Sequence, residues 1–297
     1  MDKIVFDSVD TYNRLYSQRT LHPLISVVDL KQCASVPNNI EVKFEVYAIF
    51  LKNVSYCSAR YGRRKYDFQS GTVVSFCPGQ VIEFSIPEEE KYPDVVGVVF
   101  HPDLIYRTPL AEKIQDFSFL NYSELESLHL SDKEKEKFNF CLDLIRQEAE
   151  NPIDSHSASV LSANIQLLLE HLDRFYDRQF ITRHKVNSEI VSQFHHNLKQ
   201  YFSEEKVSST PNVGYFAELA SLSPGYFSDL IKKETGSSPK DLISLHIISE
   251  AKRRLLKGFD DISTIAYDLG FEYPAHFTRM FKRITGLTPT EYRLKPN

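Results

Sequence analysis

The 297-residue sequence has no tryptophan, two methionines and ten glycines. Its four cysteines, Cys33, Cys57, Cys77 and Cys141, are scattered and form no CxxC pair. That spacing argues against a structural zinc site. The cysteines read as reduced, mostly buried thiols of a cytoplasmic protein. No apolar run approaches the ~20 residues that a membrane-spanning helix needs. The opening "MDKIVFDSVD" carries acids and lacks the apolar core of a signal peptide, so no membrane partner is expected. Between residues 23 and 100 there is no histidine, which argues against a barrel that holds a metal through His ligands. No Ser-His-Asp or Cys-His arrangement has local support. The reading is therefore no enzyme, no metal and no cofactor.

What remains has the composition of a soluble globular chain, 42% hydrophobic and 25% charged, long enough for two domains. Its net charge of −5 conceals an asymmetry. From Ser188 onward there are 14 Lys+Arg and 13 Asp+Glu; the rest of the chain carries 21 bases and 27 acids. The C-terminal third is only less acidic, so a nucleic-acid partner must be argued from clustering rather than from total charge.

Residues 20 to 100 read as strands. In "EVKFEVYAIFLK", Val42, Phe44 and Val46 alternate with Glu41, Lys43 and Glu45, the period of a half-buried strand. "GTVVSFCPGQVIEFSI" gives two short runs split by Pro78-Gly79, and "DVVGVVF" a further buried strand. Many short strands separated by turns predict an antiparallel barrel or sandwich over residues 1–110. Residues 111–177 switch to a helical period. Phe138, Leu142, Ile145 and Ala149 form one stripe; Leu161, Ile165, Leu168, Leu172 and Phe175 form another, spaced four, three, four, three. The second stripe either packs on the barrel or is a dimer interface carried by Leu161, Ile165, Leu168 and Leu172. Residues 178–188, polar and aperiodic, read as a linker.

Residues 189–297 contain an internal repeat. "FAELASLSPGYFSDLIKKETGSSPKDL" (216–242) aligns with "IAYDLGFEYPAHFTRMFKRITGLTPTEY" (265–292), so that Ala217 matches Ala266, Phe227 Phe277, Gly236 Gly286 and Pro239 Pro289. Each copy reads as a helix, a tight turn, a second helix, a glycine and a Pro-started helix. Ser223-Pro224 and Ser238-Pro239 place an N-cap before a Pro at the first helical position; Thr288 and Glu291 form a capping box. In each second helix one face is apolar: Phe227, Leu230 and Ile231, then Phe277, Met280, Phe281 and Ile284. The opposite faces carry Gly225, Ser228 and Asp229, then Ala275, His276 and Arg279. This is the plan of a helix-turn-helix, whose second helix enters a major groove by its N-terminal face. "PKDLISLHIISEAKRRLLKG" joins the copies as an amphipathic helix with Leu242, Leu245, Ile248, Ala251 and Leu255 inward and Gly258 as its stop. Its ~19 residues span about 28 Å, the order of one turn of DNA at about 34 Å.

"AELASLSPGYFSDLIKKETGSSP", "AKRRL" and "IAYDLGFEYPAHFTRMFKRITGLTPTEYR" resemble the DNA-binding domain of the AraC/XylS family of bacterial transcription regulators. The resemblance covers about residues 190–297. It implies a seven-helix domain with two helix-turn-helix units bridged by a helix, and an N-terminal cupin-like barrel that senses an effector, with helices for dimerisation. The fold class expected is α+β.

Carried over by position, the base-contacting candidates are Gly225, Ser228 and Asp229 in the first unit and Pro274, Ala275, His276 and Arg279 in the second. Arg279 is the leading one, since Arg bonds guanine O6 and N7 in a bidentate way; the other reading is a phosphate contact alone. Asp229 either accepts from cytosine N4 or pairs with Lys232 or Lys233. Lys232 and Lys233 recur as Lys282 and Arg283 and, with Arg253 on the bridging helix, are phosphate candidates. Arg60, Arg63 and Arg64, with Tyr47, are candidates for binding an anionic or sugar-like effector; the plainer reading is an exposed basic hairpin. The expected partners are double-stranded DNA, RNA polymerase, an unidentified effector and a second copy of the chain. The competing reading is a regulator without a ligand, governed by a protein partner or by its own abundance.

Overall fold

The computed structural model describes residues 2–32, 40–53, 60–61, 64–65, 71–84, 94–123, 126–202, 207, 209–257 and 260–294. Cys33, Cys57, Arg63 and Gly258 lie outside these. The chain divides into two compact units, Met1–Thr182 and Arg183–Asn297.

The first unit is β-rich. Its strands are β1 (Asp2–Phe6), β2 (Ile25–Asp29), β3 (Ile40–Phe44), β4 (Tyr47–Lys52), β5 (Arg60–Tyr61), β6 (Arg64–Lys65), β7 (Thr72–Phe76), β8 (Val81–Phe84), β9 (Val95–Phe100) and β10 (Leu128–His129). Among the described residues they form three sheets, ordered β1-β3-β8, β10-β7-β4-β9-β2 and β5-β6. The alternation read in β3 holds: Ile40, Val42 and Phe44 are buried and Lys43 is exposed. The expected antiparallel barrel is corrected in two ways. Among the described residues the strands do not close, and β1 pairs with β3 in parallel. The physical reason lies in the filling. The two larger sheets share one apolar cluster that includes Phe6, Val42, Phe44, Phe50, Phe76 and Val99. Phe44 stacks on Phe76 at 4.7 Å and meets Phe6 edge-on at 5.4 Å. These rings hold the sheets together as a sandwich would.

Among the described residues, the α-helices of this unit are α1 (Val9–Leu15), α2 (Leu110–Lys113), α3 (Asp132–Glu150) and α4 (Ser157–Thr182). The stripe Phe138, Leu142, Ile145 and Ala149 on α3 is buried, as its spacing predicts. The stripe on α4 corrects the dimerisation reading. Leu161, Ile165, Leu168 and Leu172 are each 0% exposed within one chain. Helix α4 packs along α3 and against α2 and β10, so these four side chains already serve the core of the protomer and are not free for a second copy.

The expected linker is corrected too. Helix α4 continues through residues 178–182, because its polar side chains there are engaged. Arg178 donates to Glu134 at 3.1 and 2.9 Å and to the His129 carbonyl at 2.7 Å. Gln179 accepts from the His129 amide at 2.9 Å and donates to the Ser127 carbonyl at 3.2 Å. A one-residue break at Arg183 then leads into α5 (His184–Tyr201).

The second unit is helical, as expected. After α5 come α6 (Val213–Ala220), α7 (Pro224–Thr235), α8 (Pro239–Lys257), α9 (Ile262–Asp268), α10 (Pro274–Thr285) and α11 (Pro289–Leu294). Helix α8 contacts α7, α9, α10 and α11. Its buried stripe is Ile243, Ile247, Ile248, Ala251 and Leu255. Leu245, expected inward, is 51% exposed: at 100° per residue it falls opposite Ile243 and Ile247, which take the core positions.

Burial of Leu168 carries a direct prediction. Leu168→Ala should lower unfolding free energy by about 3 kcal/mol, read by denaturant titration, and leave the oligomeric state of the folded chain unchanged.

Candidate nucleic-acid interface

The two repeat copies close their second helices with the same bonds and start them differently. Ser223 caps α7 by accepting from the Tyr226 amide at 3.3 Å. At the far end, Gly236 and Gly286 adopt φ of 74° and 79°, and each amide bonds back at 2.9 Å, to Lys232 O and Lys282 O. Thr235 donates to the Ile231 carbonyl at 2.7 Å and Thr285 to the Phe281 carbonyl at 2.8 Å. Ser238 accepts from the Asp241 amide to start α8, and Thr288 and Glu291 form the capping box of α11. These bonds satisfy helix ends that would otherwise hold orphan groups.

The turns differ. In the first unit Ser221 takes a left-handed conformation, φ 58°. In the second, Gly270 has φ 84°, and a Cβ there would lie 2.3 Å from the backbone of Ser209. The close approach is a strap: the Thr210 amide donates to Gly270 O at 3.0 Å, and the Val207 amide to Asp268 O at 3.2 Å. The segment leading into the first helix-turn-helix is thereby bonded to the turn of the second. The reading of the sequence missed this strap; its one local signal was the Leu-Gly-Phe turn.

A second tie was also missed. Glu234 lies in the last turn of α7, where an acid opposes the helix dipole. It is held by Asn187, whose amide donates at 3.1 Å, and by His184 Nδ1 at 2.7 Å. Helix α5 thus fixes the end of α7.

The inner faces are set by burial. Tyr226, Phe227, Leu230 and Ile231 of α7 are buried, as are Phe277 and Phe281 of α10. The candidates fall on the remaining surface. Gly225, Ser228 and Asp229 are half-buried; Ala275, His276 and Arg279 are exposed, and Pro274 is half-buried. Lys232, Lys233, Lys282 and Arg283 are exposed at matching positions of the two copies. Ser228 donates its hydroxyl to the Pro224 carbonyl at 2.7 Å, within its own helix. Arg253 bonds Glu250 through Nε at 3.0 Å. Ser228 must give up that bond to donate to DNA, whereas Arg253 keeps guanidinium N–H groups beyond those facing Glu250. Arg283 lines a groove of about 320 Å³ with Lys240, Asp241, Ser244, Leu245 and Ile284.

Of the effector candidates, Arg63 lies outside the described residues. Arg60 and Arg64 lie on the paired strands β5 and β6. Tyr47 lies on β4, half-buried, stacked on Phe100 at 5.0 Å, and its burial raises the phenol above its usual range. Cys77 donates its thiol to the Leu120 carbonyl at 3.3 Å, and burial pushes it up to about 11. Among the described residues, no group of three or more His, Cys, Asp or Glu is placed to hold a metal, and no helix is long and apolar enough to cross a membrane.

Comparison with known proteins meets this geometry. Residues 216–295 match a family model described as a helix-turn-helix domain. The uncharacterized HTH-type transcriptional regulator YobQ of Bacillus subtilis (strain 168) is 33% identical over 112 residues, 33% of this chain and 46% of that protein. The arabinose operon regulatory protein of Escherichia coli (strain K12) is 32% identical over 94 residues, 32% of each. Among solved structures, the C-terminal domain of AraT, a response regulator from Geobacillus stearothermophilus, is 29% identical, with 35% of this chain and 83% of that chain covered and a TM-score of 0.32. The matched stretch spans less than half the length of these two curated relatives.

The contrast between the faces of α7 and α10 sets an expected ranking. Arg279→Ala should relax preference among DNA sequences more than Ser228→Ala, by about 1–3 kcal/mol at the affected base pair. Competition binding with single-base variants of the preferred site measures it, and the reverse order would contradict the assignment.

Proposed function

We propose that this chain, whose C-terminal domain is an AraC-type helix-turn-helix domain, is a sequence-specific DNA-binding transcription regulator that reads two adjacent major-groove segments per subunit. One observation carries the reading. Two helices of equal length, α7 and α10, each bury an apolar face, present a polar face outward and carry a cation pair at matching positions. A helix of this size presented by a rigid frame is what the major groove admits. Arg279 and His276 are the proposed base contacts of the second unit, with Pro274 and Ala275 at the groove floor; Gly225, Ser228 and Asp229 are those of the first. Lys232, Lys233, Lys282, Arg283 and Arg253 are the proposed phosphate contacts. No catalytic role is proposed. A cytoplasmic site of action and activation through contact with RNA polymerase belong to the same proposal.

For the first unit we propose a cupin-like sensor that biases DNA binding through an effector, with Arg60, Arg63, Arg64 and Tyr47 as candidate contacts. The competing reading, control by a protein partner or by abundance, is favoured by the aromatic filling between the sheets. For a dimer, the outer face of α4 is the surface to consider. Val160, Leu167 and Ile181 are exposed and sit on one heptad series, 160, 167, 174 and 181.

Selection from a random DNA pool with the full-length chain tests the function. It should enrich a site spanning two consecutive major grooves, bound ~10³-fold or more tighter than scrambled DNA. Enrichment of nothing, with binding governed by salt alone, would contradict it.

A further inference from the structure

We propose that the phenol of Tyr273 donates a hydrogen bond to a DNA phosphate at the rim of the groove read by α10. The inference rests on the reading of the chain as a DNA-binding regulator and adds a contact to it. Tyr273 is the N-cap residue of α10, and its side chain makes no capping bond. The matching residue of the first copy is Ser223, fifty positions earlier, which does cap its helix. Both residues have extended backbone, φ −127° and ψ 118° at Tyr273, φ −66° and ψ 148° at Ser223. A serine would therefore fit position 273 and supply the cap. The chain instead places a large ring there, 56% exposed. A local rule broken without local compensation marks a functional position.

The surroundings say which function. Phe271, two residues earlier, turns inward and packs on Phe277 at 5.5 Å. The Tyr273 ring instead leans on His276 in a T-shaped contact at 5.6 Å, so it stands over the exposed N-terminal face of α10. His276, Ala275 and Arg279 occupy the part of the helix that reaches base edges. Tyr273 precedes the first helical residue and lies at the rim, where phosphates pass. In the turn 269–273, "LGFEY", it carries the only side-chain hydrogen-bond donor; Glu272 beside it repels phosphate. Phosphate oxygens commonly accept from tyrosine hydroxyls at such borders.

Tyr273→Phe removes the donor and keeps the ring and its packing. The full-length parent and variant would be titrated on the parent's selected site and on scrambled DNA at several salt concentrations. Affinity should fall about tenfold on both DNAs, because a bond to phosphate carries no sequence information. The salt slope should not change, since a neutral phenol displaces no counterion. Tyr273→Ser restores the cap of the first copy, so its melting temperature should rise by about 2–4 °C while its affinity falls at least as far. Equal affinity of parent and either variant overturns the inference. A loss confined to the selected site moves the phenol onto a base and overturns it as well. A parent with a preferred site and an indifferent Tyr273→Phe sinks this inference alone; a parent with no preferred site sinks the regulator reading beneath it.

Discussion

A helix of twelve residues does not hold itself in water. Helices α7 and α10 are each twelve residues long, and they exist because one face of each is buried. Phe227, Phe277 and Phe281 are fully buried, each contributing about 1.5–3 kcal/mol through burial. That requirement decides the rest of the domain. It fixes how α7 and α10 are rotated, and so which side chains remain outside. It makes α8 both a spacer and a floor, since α8 touches α7 and α10 alike. The strap from Thr210 to Gly270 and the Glu234 tie to α5 then lock each unit against its frame. Discrimination among bases, as proposed, requires donors held to within a fraction of an ångström, and burial on the opposite face is a source of such rigidity.

The copies share a frame and differ in what they present. Their C-terminal caps and the cations before them match bond for bond. Their reading faces do not. The first offers a glycine, a serine whose hydroxyl is already engaged, and an acid. The second offers an exposed arginine and histidine. The difference is compatible with one unit that mainly positions the protein and another that mainly specifies the sequence, since phosphate contacts orient and base contacts discriminate.

Features governed by near neighbours were legible in the sequence. The repeat, the capping residues Ser223, Ser238 and Thr288, the stops at Gly236 and Gly286 and the apolar faces of α3, α7 and α10 all depend on spacings of a few residues. Features decided by distant partners were not. The α4 stripe had the period of an interface, but only the packing of α3 showed that Leu161, Ile165, Leu168 and Leu172 were already in use. Residues 178–188 looked like linker because the stretch is largely polar and aperiodic; Arg178 and Gln179 stay helical because they bond Glu134 and the backbone near His129. The parallel pairing of β1 with β3 joins segments some 38 residues apart, and no local pattern announces it. Leu245 shows a smaller failure: two nearly equivalent stripes were available on α8, and the richer one, through Ile243 and Ile247, took the core.

The account's central claim is that one chain reads two successive grooves from a single rigid frame. Hydroxyl-radical footprinting of the full-length protein on its preferred site tests it most directly. The account predicts two protected patches for each bound subunit, about 34 Å apart along one face of the duplex, both appearing at the same protein concentration. A single protected patch per subunit, or two patches that fill at well-separated concentrations, would contradict it.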